Sequence, residues 1–453
     1  MNKKYTYFTL LSILFPYISA KAYNVEFDGV SKNVIEIAAD KNTGLDAIYV
    51  AYKTDEISQI EVSGINGTVI EVSKYSNLGG GYAEEIPYSS SDGKVFIPSP
   101  KGNMGYIIRS ESKNYCFWLV DYSSDPLHLS SITLDSEQEC ENTAVHINGN
   151  GGDIRYFTID GRQSTLSRDI SLSYTTLEWD EEQSVYTQVN EEKKLTSISG
   201  KISLTPPFYC STSVHVIGDR FLKDWHMQEE IESEIFPSTA VAIESVAEQT
   251  NVSDEEGSNI IKTETEGLGG SAPADITFYG YITDGVLHTE WQMASDPEFD
   301  YIIYRFNEQD VSYSFTEEGR YYMRFIGSNA DGSCESIGET YTIMIGASDL
   351  RIPNAFSPND DGINDIWKVG YRSLIDFKCW IFDSKGTQLY QFDDPSVGWD
   401  GKYRGKTVNP GVYYYVIQAS GADGKKYKKS GDINILNYKK YGNSTGDTGD
   451  IEE

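Results

Sequence analysis

The chain has 453 residues, 39% of them hydrophobic, enough for three or four cores at roughly 100–150 residues per domain. It carries 69 Asp and Glu against 37 Lys and Arg, a formal net charge of −32 that sets it against nucleic-acid phosphates and anionic membrane surfaces. Forty glycines, 33 tyrosines and plentiful β-branched residues exclude disorder over most of the length and favour short strands with tight turns.

The N-terminus reads as a secretory signal over residues 1–22. Lys3 and Lys4 form a positive start, Phe8 to Phe15 is a short apolar run, and Ala20-Lys21-Ala22 supplies small residues before a cut at Tyr23. The apolar run is well short of the ~20 residues a membrane helix needs. No Cys follows the cut to carry a lipid, and no later stretch is long and apolar enough to be a transmembrane segment.

Strand signals begin at once. Ile48, Val50 and Tyr52 alternate with other residues. Ile60 and Val62 do the same, and Asn66-Gly67 then turns the chain into Thr68, Ile70 and Val72, the pattern of a hairpin. With further runs at 94–97, 104–108 and 115–120, a first β-sandwich is expected over 23–136. A second β-domain is expected over 137–235, from runs at 154–159, 170–174, 177–179, 202–204 and 213–216. Residues 225–270 crowd Glu229, Glu230, Glu232, Glu234, Asp254, Glu255 and Glu256 around one strand candidate, Ala240–Val246, and read as a solvated acidic connector. Regularly spaced short strands over 236–349 then predict an immunoglobulin-like sandwich with Tyr321, Met323 and Phe325 facing its core. Glu317-Glu318-Gly319-Arg320-Tyr321, Asn329-Ala330-Asp331-Gly332 and Trp291 in this region resemble PKD-type surface domains, which implies a spacer or adhesion module.

The densest signal lies in 350–437. Ile352-Pro353-Asn354-Ala355-Phe356-Ser357-Pro358-Asn359-Asp360-Asp361-Gly362-Ile363-Asn364-Asp365-Ile366-Trp367 is followed by Phe377-Lys378-Cys379-Trp380-Ile381-Phe382, Gly398-Trp399-Asp400-Gly401 and Gly411-Val412-Tyr413-Tyr414-Tyr415-Val416-Ile417. In this order and spacing the segment closely resembles the gliding-motility-associated C-terminal domain, the type B sorting domain of the type IX secretion system in Bacteroidetes. The resemblance implies a seven-stranded β-sandwich recognised by the outer-membrane secretion machinery, with Asn359, Asp360, Asp361, Gly362, Asn364, Asp365, Gly386, Trp399, Asp400 and Gly401 as its motif residues. Two features depart from that family: Asp383-Ser384-Lys385-Gly386 stands where Asn-Arg-Trp-Gly is usual, and a polar acidic tail, 438–453, follows where the family's domain usually ends.

The residues support the fold independently. Pro353 and Pro358 hold the segment between them extended. Two readings stand for the oxygens of 359–365: Asx turns around Gly362, the commoner outcome, or a calcium site at Asp360, Asp361 and Asp365. Trp399 reads as a core aromatic anchoring the Asp400-Gly401 turn.

Five cysteines, at 116, 140, 210, 334 and 379, leave at least one unpaired within the chain, and their spacings match no metal-binding pattern. The expected bridge is Cys140–Cys210, with Cys116–Cys140 nearly as plausible; Cys379 reads as a buried small hydrophobe. No nucleophile elbow, zinc-protease motif or phosphate loop occurs, the five histidines are scattered, and no cofactor is expected. The expectation is therefore an all-β chain of tandem immunoglobulin-like sandwiches: an exported, non-catalytic surface protein with an adhesive or scaffold role, bound to a surface glycan or protein. The alternative is a secreted carbohydrate-binding or carbohydrate-active protein with its site in 23–221, where Tyr and Trp would stack sugars or fill cores.

Overall fold

The computed structural model describes residues 23–250, 259–262 and 267–436. The expected leader, the tail and the acidic run 251–258 lie outside the described residues. The fold is all-β: tandem sheet pairs with one short α-helix, Arg220–Asp224, among the described residues.

The first unit pairs two sheets. One holds Asn24–Asp28, Gln59–Ser63, Lys94–Pro98 and Ser89–Ser91, in that spatial order. The other holds Ile35–Ala38, Ala47–Ala51, Tyr115–Asp121, Met104–Ser110, Val69–Tyr75 and Glu84–Glu85, with Ala47–Ala51 and Tyr115–Asp121 parallel. Asn66-Gly67 therefore makes no hairpin. The strand before it belongs to one sheet and the strand after it to the other, so the turn carries the chain across the sandwich.

The six-stranded sheet is covered on both faces. Tyr49, Ile108, Phe117 and Leu119 pack toward the four-stranded sheet. Ile48, Val50, Trp118 and Val120 pack the other way, into one core with Val145, Ile170, Leu172 and Val216 of the second unit. That second unit consists of the sheet His128–Leu134, Thr143–Asn150, Ile202–Leu204, the hairpin Ile154–Phe157 with Gln163–Leu166, and a four-stranded sheet. The four-stranded sheet is led by the long hairpin Ile170–Asp180 with Val185–Leu195. Where the two units meet, Arg168 and Asp219 are both fully buried and ion-paired at 3.0 Å. The Tyr122 hydroxyl donates to the same carboxylate at 3.0 Å, and the Leu222 N–H caps its helix on the other oxygen at 2.9 Å.

The third unit packs Ile243–Gln249, Ala274–Ile282 and Asp310–Phe315 against a five-stranded sheet centred on Gly319–Ser328. Trp291, fully buried, stacks on Phe325 with centroids 4.8 Å apart, and Met323 lies beside them in the core. The connector is more structured than its charge suggests. Glu230–Glu232 extends the second unit's sheet, and Asn259 sends its amide to the Val369 and Pro395 carbonyls of the fourth unit at 2.6 and 2.8 Å.

The cysteine expectation needs correction: Cys140 bridges Cys334, not Cys210 or Cys116, with Cα atoms 5.6 Å apart. Cys210 is 3% exposed inside the second unit and its thiol faces the Thr175 carbonyl. Cys116 is buried in the first unit, while Cys140 sits on an exposed loop that reaches the turn Asn329–Cys334 of the third. Cys379, fully buried, remains a thiol pushed up to about 12 by burial. Replacing Cys140 and Cys334 together by Ser is expected to cost about 2–4 kcal/mol, because the closed loop no longer restricts the unfolded chain. Denaturant unfolding monitored at the second and third units measures it; an unchanged midpoint in oxidising buffer would contradict the estimate.

Candidate functional site

The terminal unit positions its motif residues through strand register. Its main sheet runs Ala355–Phe356, Lys426–Ile435, Gly411–Gly421, Leu374–Phe382, Gln388–Phe392. A second layer, Asp349–Arg351 with Gly370–Arg372, closes the core over Trp367, Trp399, Cys379 and Ile417. Phe356 pairs with Ile435, Ile435 with Gly411, and Phe382 with Tyr414. These pairs lie at one end of the sheet. Consequently the loop 357–366, the turn 383–387 and the segment 400–410 all emerge there, and Leu436 does too, its N–H on the Phe356 carbonyl. The opposite end holds Ser373, Ala422 and Asp423 and is stitched to the third unit. There Ser348 Oγ donates to Asp423 at 2.6 Å, and the Ser373 N–H donates to Ser271 Oγ at 2.8 Å.

The loop 359–365 is organised by one carboxylate. Asp365 Oδ1 accepts the N–H groups of Asn359 and Asp360 at 2.8 and 2.7 Å, and Oδ2 accepts that of Gly362 at 2.7 Å. Asn359 and Asp361 each close an Asx turn on the N–H two residues on, and the Asn359 amide donates to Asp361 at 2.8 Å. Asp360 and Asn364 take positive φ, as does Gly362. The Asp365 oxygens are thus taken by backbone donors, and those of Asp361 by the Ile363 N–H and the Asn359 amide. Among the described residues no three His, Cys, Asp or Glu side chains converge as metal ligands.

Partial burial pushes the Asp365 carboxyl up, but the N–H groups of Gly362, Asn359 and Asp360 outweigh it and hold the group below its ordinary 3.8. A depressed carboxyl contributes stability above its unfolded value and loses it as pH falls through the folded one. The loop should therefore keep its form from neutrality down to about pH 3.8 and loosen below. Amide chemical shifts of Asn359, Asp360 and Gly362 followed from pH 6 to 2 report this directly; a transition centred above pH 5 would contradict it.

The neighbouring loop leans on this one. Trp367 and Trp399 exchange backbone hydrogen bonds of 2.9 and 3.0 Å, and both indoles are fully buried. Gly401 has φ +72, and a Cβ there would lie 2.8 Å from Pro358, so only glycine fits between the two loops. Asp400 accepts the Lys402 N–H at 3.0 Å and pairs with its ammonium at 3.1 Å. At the third loop, Asp383 accepts the N–H groups of Thr387 and Lys385, both at 2.8 Å, and Gly386 turns the chain at φ +83. Asn359, Asp360, Asp361, Gly362, Asn364, Asp365, Gly386, Asp400 and Gly401 thus belong to loops at one end, with Trp399 beneath them.

Residues 23–221 spend their aromatics differently. Tyr49, Tyr106, Phe117, Trp118, Tyr122, Tyr174 and Phe208 are all buried. A cleft of about 550 Å³ between the first and second units is lined by Asp121, Asp125 and Asp153 with Asn103 and Ser199. Asp121 is held by Thr54 and Ser123 at 2.8 and 2.7 Å, and Asp125 by Arg168 at 3.3 Å.

The fold is that of a multidomain β protein whose last sandwich gathers three motif loops at one end. Residues 350–435 match the CHU_C type IX secretion signal domain, and residues 132–233 match a fibronectin type III domain. The first match indicates delivery to the cell surface or the medium. Among solved structures, the chain is similar to a tetra-tandem repeat from the extending region of a large adhesion protein, at 10% identity and TM-score 0.23 over 91% of this chain and 99% of that one. It is also similar to dimeric latent PorU from Porphyromonas gingivalis, at 9% identity and TM-score 0.15 over 71% of this chain and 35% of that one. A third is immunoglobulin domains 1–5 of Sidekick-1, at 9% identity and TM-score 0.23 over 82% and 74%. No curated protein sequence matches the chain. Among the described residues no helix is long and apolar enough to cross a membrane.

Proposed function

We propose that this is a non-catalytic surface protein in which three β-units form an adhesive or scaffolding passenger and the fourth is its export address. The observation carrying this reading is the gathering of the Asn359–Asp365, Asp383–Gly386 and Asp400–Lys406 loops at the end of the terminal sandwich remote from the passenger. The outer-membrane secretion machinery grips that end, after the leader has brought the chain into the periplasm. The bracing between units suits a passenger that holds its binding surface clear of the cell.

The test is a fusion of a signal peptide, a fluorescent reporter and residues 350–453, expressed in a host with an intact type IX system. Reporter at the surface or in the medium is the expected result. A second fusion ending at Asn437 separates the address from the tail: if it alone escapes, the tail masks the signal. If both stay in the periplasm, the sorting claim fails and the domain is a structural terminus.

A further inference from the structure

The solvent face of the terminal sandwich differs electrically from the rest of the chain. Residues 350–435 contain twelve Lys and Arg against ten Asp and no Glu, in a chain with 37 against 69. In its main sheet Phe377, Cys379, Ile417, Ala419 and Tyr427 point into the core, so their alternates point out. Register sets Lys378 beside Gln418 and Gln418 beside Lys428, and the row one pleat further on is Asp376, Ser420 and Lys426, so three lysines face one carboxylate there. On the other side the next outward row is Trp380, Val416 and Ser430, and the one after is Phe382, Tyr414 and Asp432.

This face therefore carries a cationic row followed by an aromatic band. Lys378, Lys426 and Lys428 are exposed, Tyr414 is 45% and Val416 36% exposed, and Trp380 and Phe382 are half-buried. The sandwich's described ion pairs, Arg351–Asp349 and Lys402–Asp400, lie elsewhere, so these three ammonium groups make no ion pair among the described residues. The second layer of the sandwich covers the opposite face.

We infer that this face binds an acidic polysaccharide. Flat aromatic area suits the apolar faces of sugar rings. The amide of Gln418 and hydroxyl of Ser430 suit their hydroxyls, and the lysine row suits their carboxylates or sulfates. Charge complementarity fixes the location, because the acidic passenger repels such a polymer and leaves this face as its landing place. The lysine row lies on the sheet's face away from the end where the export loops emerge, and the Phe382–Tyr414 row borders that end.

The test uses the full chain from Tyr23 and sodium alginate, a polyuronate, as the probe. Dextran, polyglutamate and phosphatidylglycerol vesicles serve as controls. Alginate should bind, more weakly as salt rises, while dextran does not. Reversing the row with Lys378→Glu, Lys426→Glu and Lys428→Glu should weaken alginate binding at least about tenfold. Tyr414→Ala, with the lysines intact, should weaken it about two- to tenfold. Circular dichroism checks that both variants fold. Alginate binding unchanged by the reversal overturns the inference. So does polyglutamate binding as tightly as alginate, or vesicles binding in its place. Export is read separately in cells, so failure here leaves the sorting proposal standing.

Discussion

Asp219→Ala is expected to destabilise the fused first and second units by about 3–5 kcal/mol, the cost of stranding a buried charge. Arg168 is wholly enclosed, and its guanidinium is satisfied by Asp219 at 3.0 Å, the Gly152 carbonyl at 2.8 Å and the Asp125 carbonyl at 2.6 Å. Removing Asp219 leaves the Tyr122 hydroxyl without its acceptor and the helix Arg220–Asp224 without its cap. Asp219→Asn keeps one oxygen, which can hold the helix cap, while its amide NH2 replaces the oxygen that Tyr122 and Arg168 share, so it should fall between wild type and Asp219→Ala. Denaturant unfolding followed by hydrogen exchange at 115–121 and 170–180 reads the effect in the unit concerned. A cost below about 1 kcal/mol would mean that Asp125, already 3.3 Å from the guanidinium, suffices as its carboxylate.

Trp399→Ala is expected to unfold the terminal sandwich alone, at about 3–5 kcal/mol for a fully buried aromatic. The indole packs on Phe356 and Tyr413, each with centroids 5.5 Å away, and donates to the Lys402 carbonyl at 3.1 Å. It also underlies the junction of the 357–366 and 400–410 loops. The variant should therefore lose protease resistance over 350–435 while the passenger keeps its own, and its export should fail. Trp399→Phe retains part of the packing and should restore much of the resistance. Equal proteolysis of passenger and terminal unit would show that the four units unfold as one.

Much of this was legible from residue pattern. The alternation of Ile170, Leu172 and Tyr174 marks a strand, and the four motifs after Ile352 mark the terminal domain and its turns. What stayed hidden has physical reasons. Ala47–Ala51 and Tyr115–Asp121 are almost wholly buried, so the half-buried rule for sheet faces gives no hint that a second unit covers the far side. Val185–Leu195 carries Glu191, Glu192, Lys193 and Lys194, which disguise a strand that tolerates charge because it lies at a sheet edge. Cys334 was an unseen partner because a bridge between separate units leaves no spacing signature. The gathering of three loops at one end depends on register across strands, which local pattern does not carry.

The bridge between Cys140 and Cys334 also sets how the molecule answers tension. When the chain is pulled from its two ends, force entering at residue 140 passes through sulfur to residue 334. The 194-residue span between them carries no load. Even if every sheet in that span tore, the chain could not lengthen there by the ~650 Å that the residues would reach when extended. Oxidation thus limits extension under tension to the residues outside that span. Reduction would turn the same molecule into a long extensible one, a difference that single-molecule pulling resolves as a contour-length step.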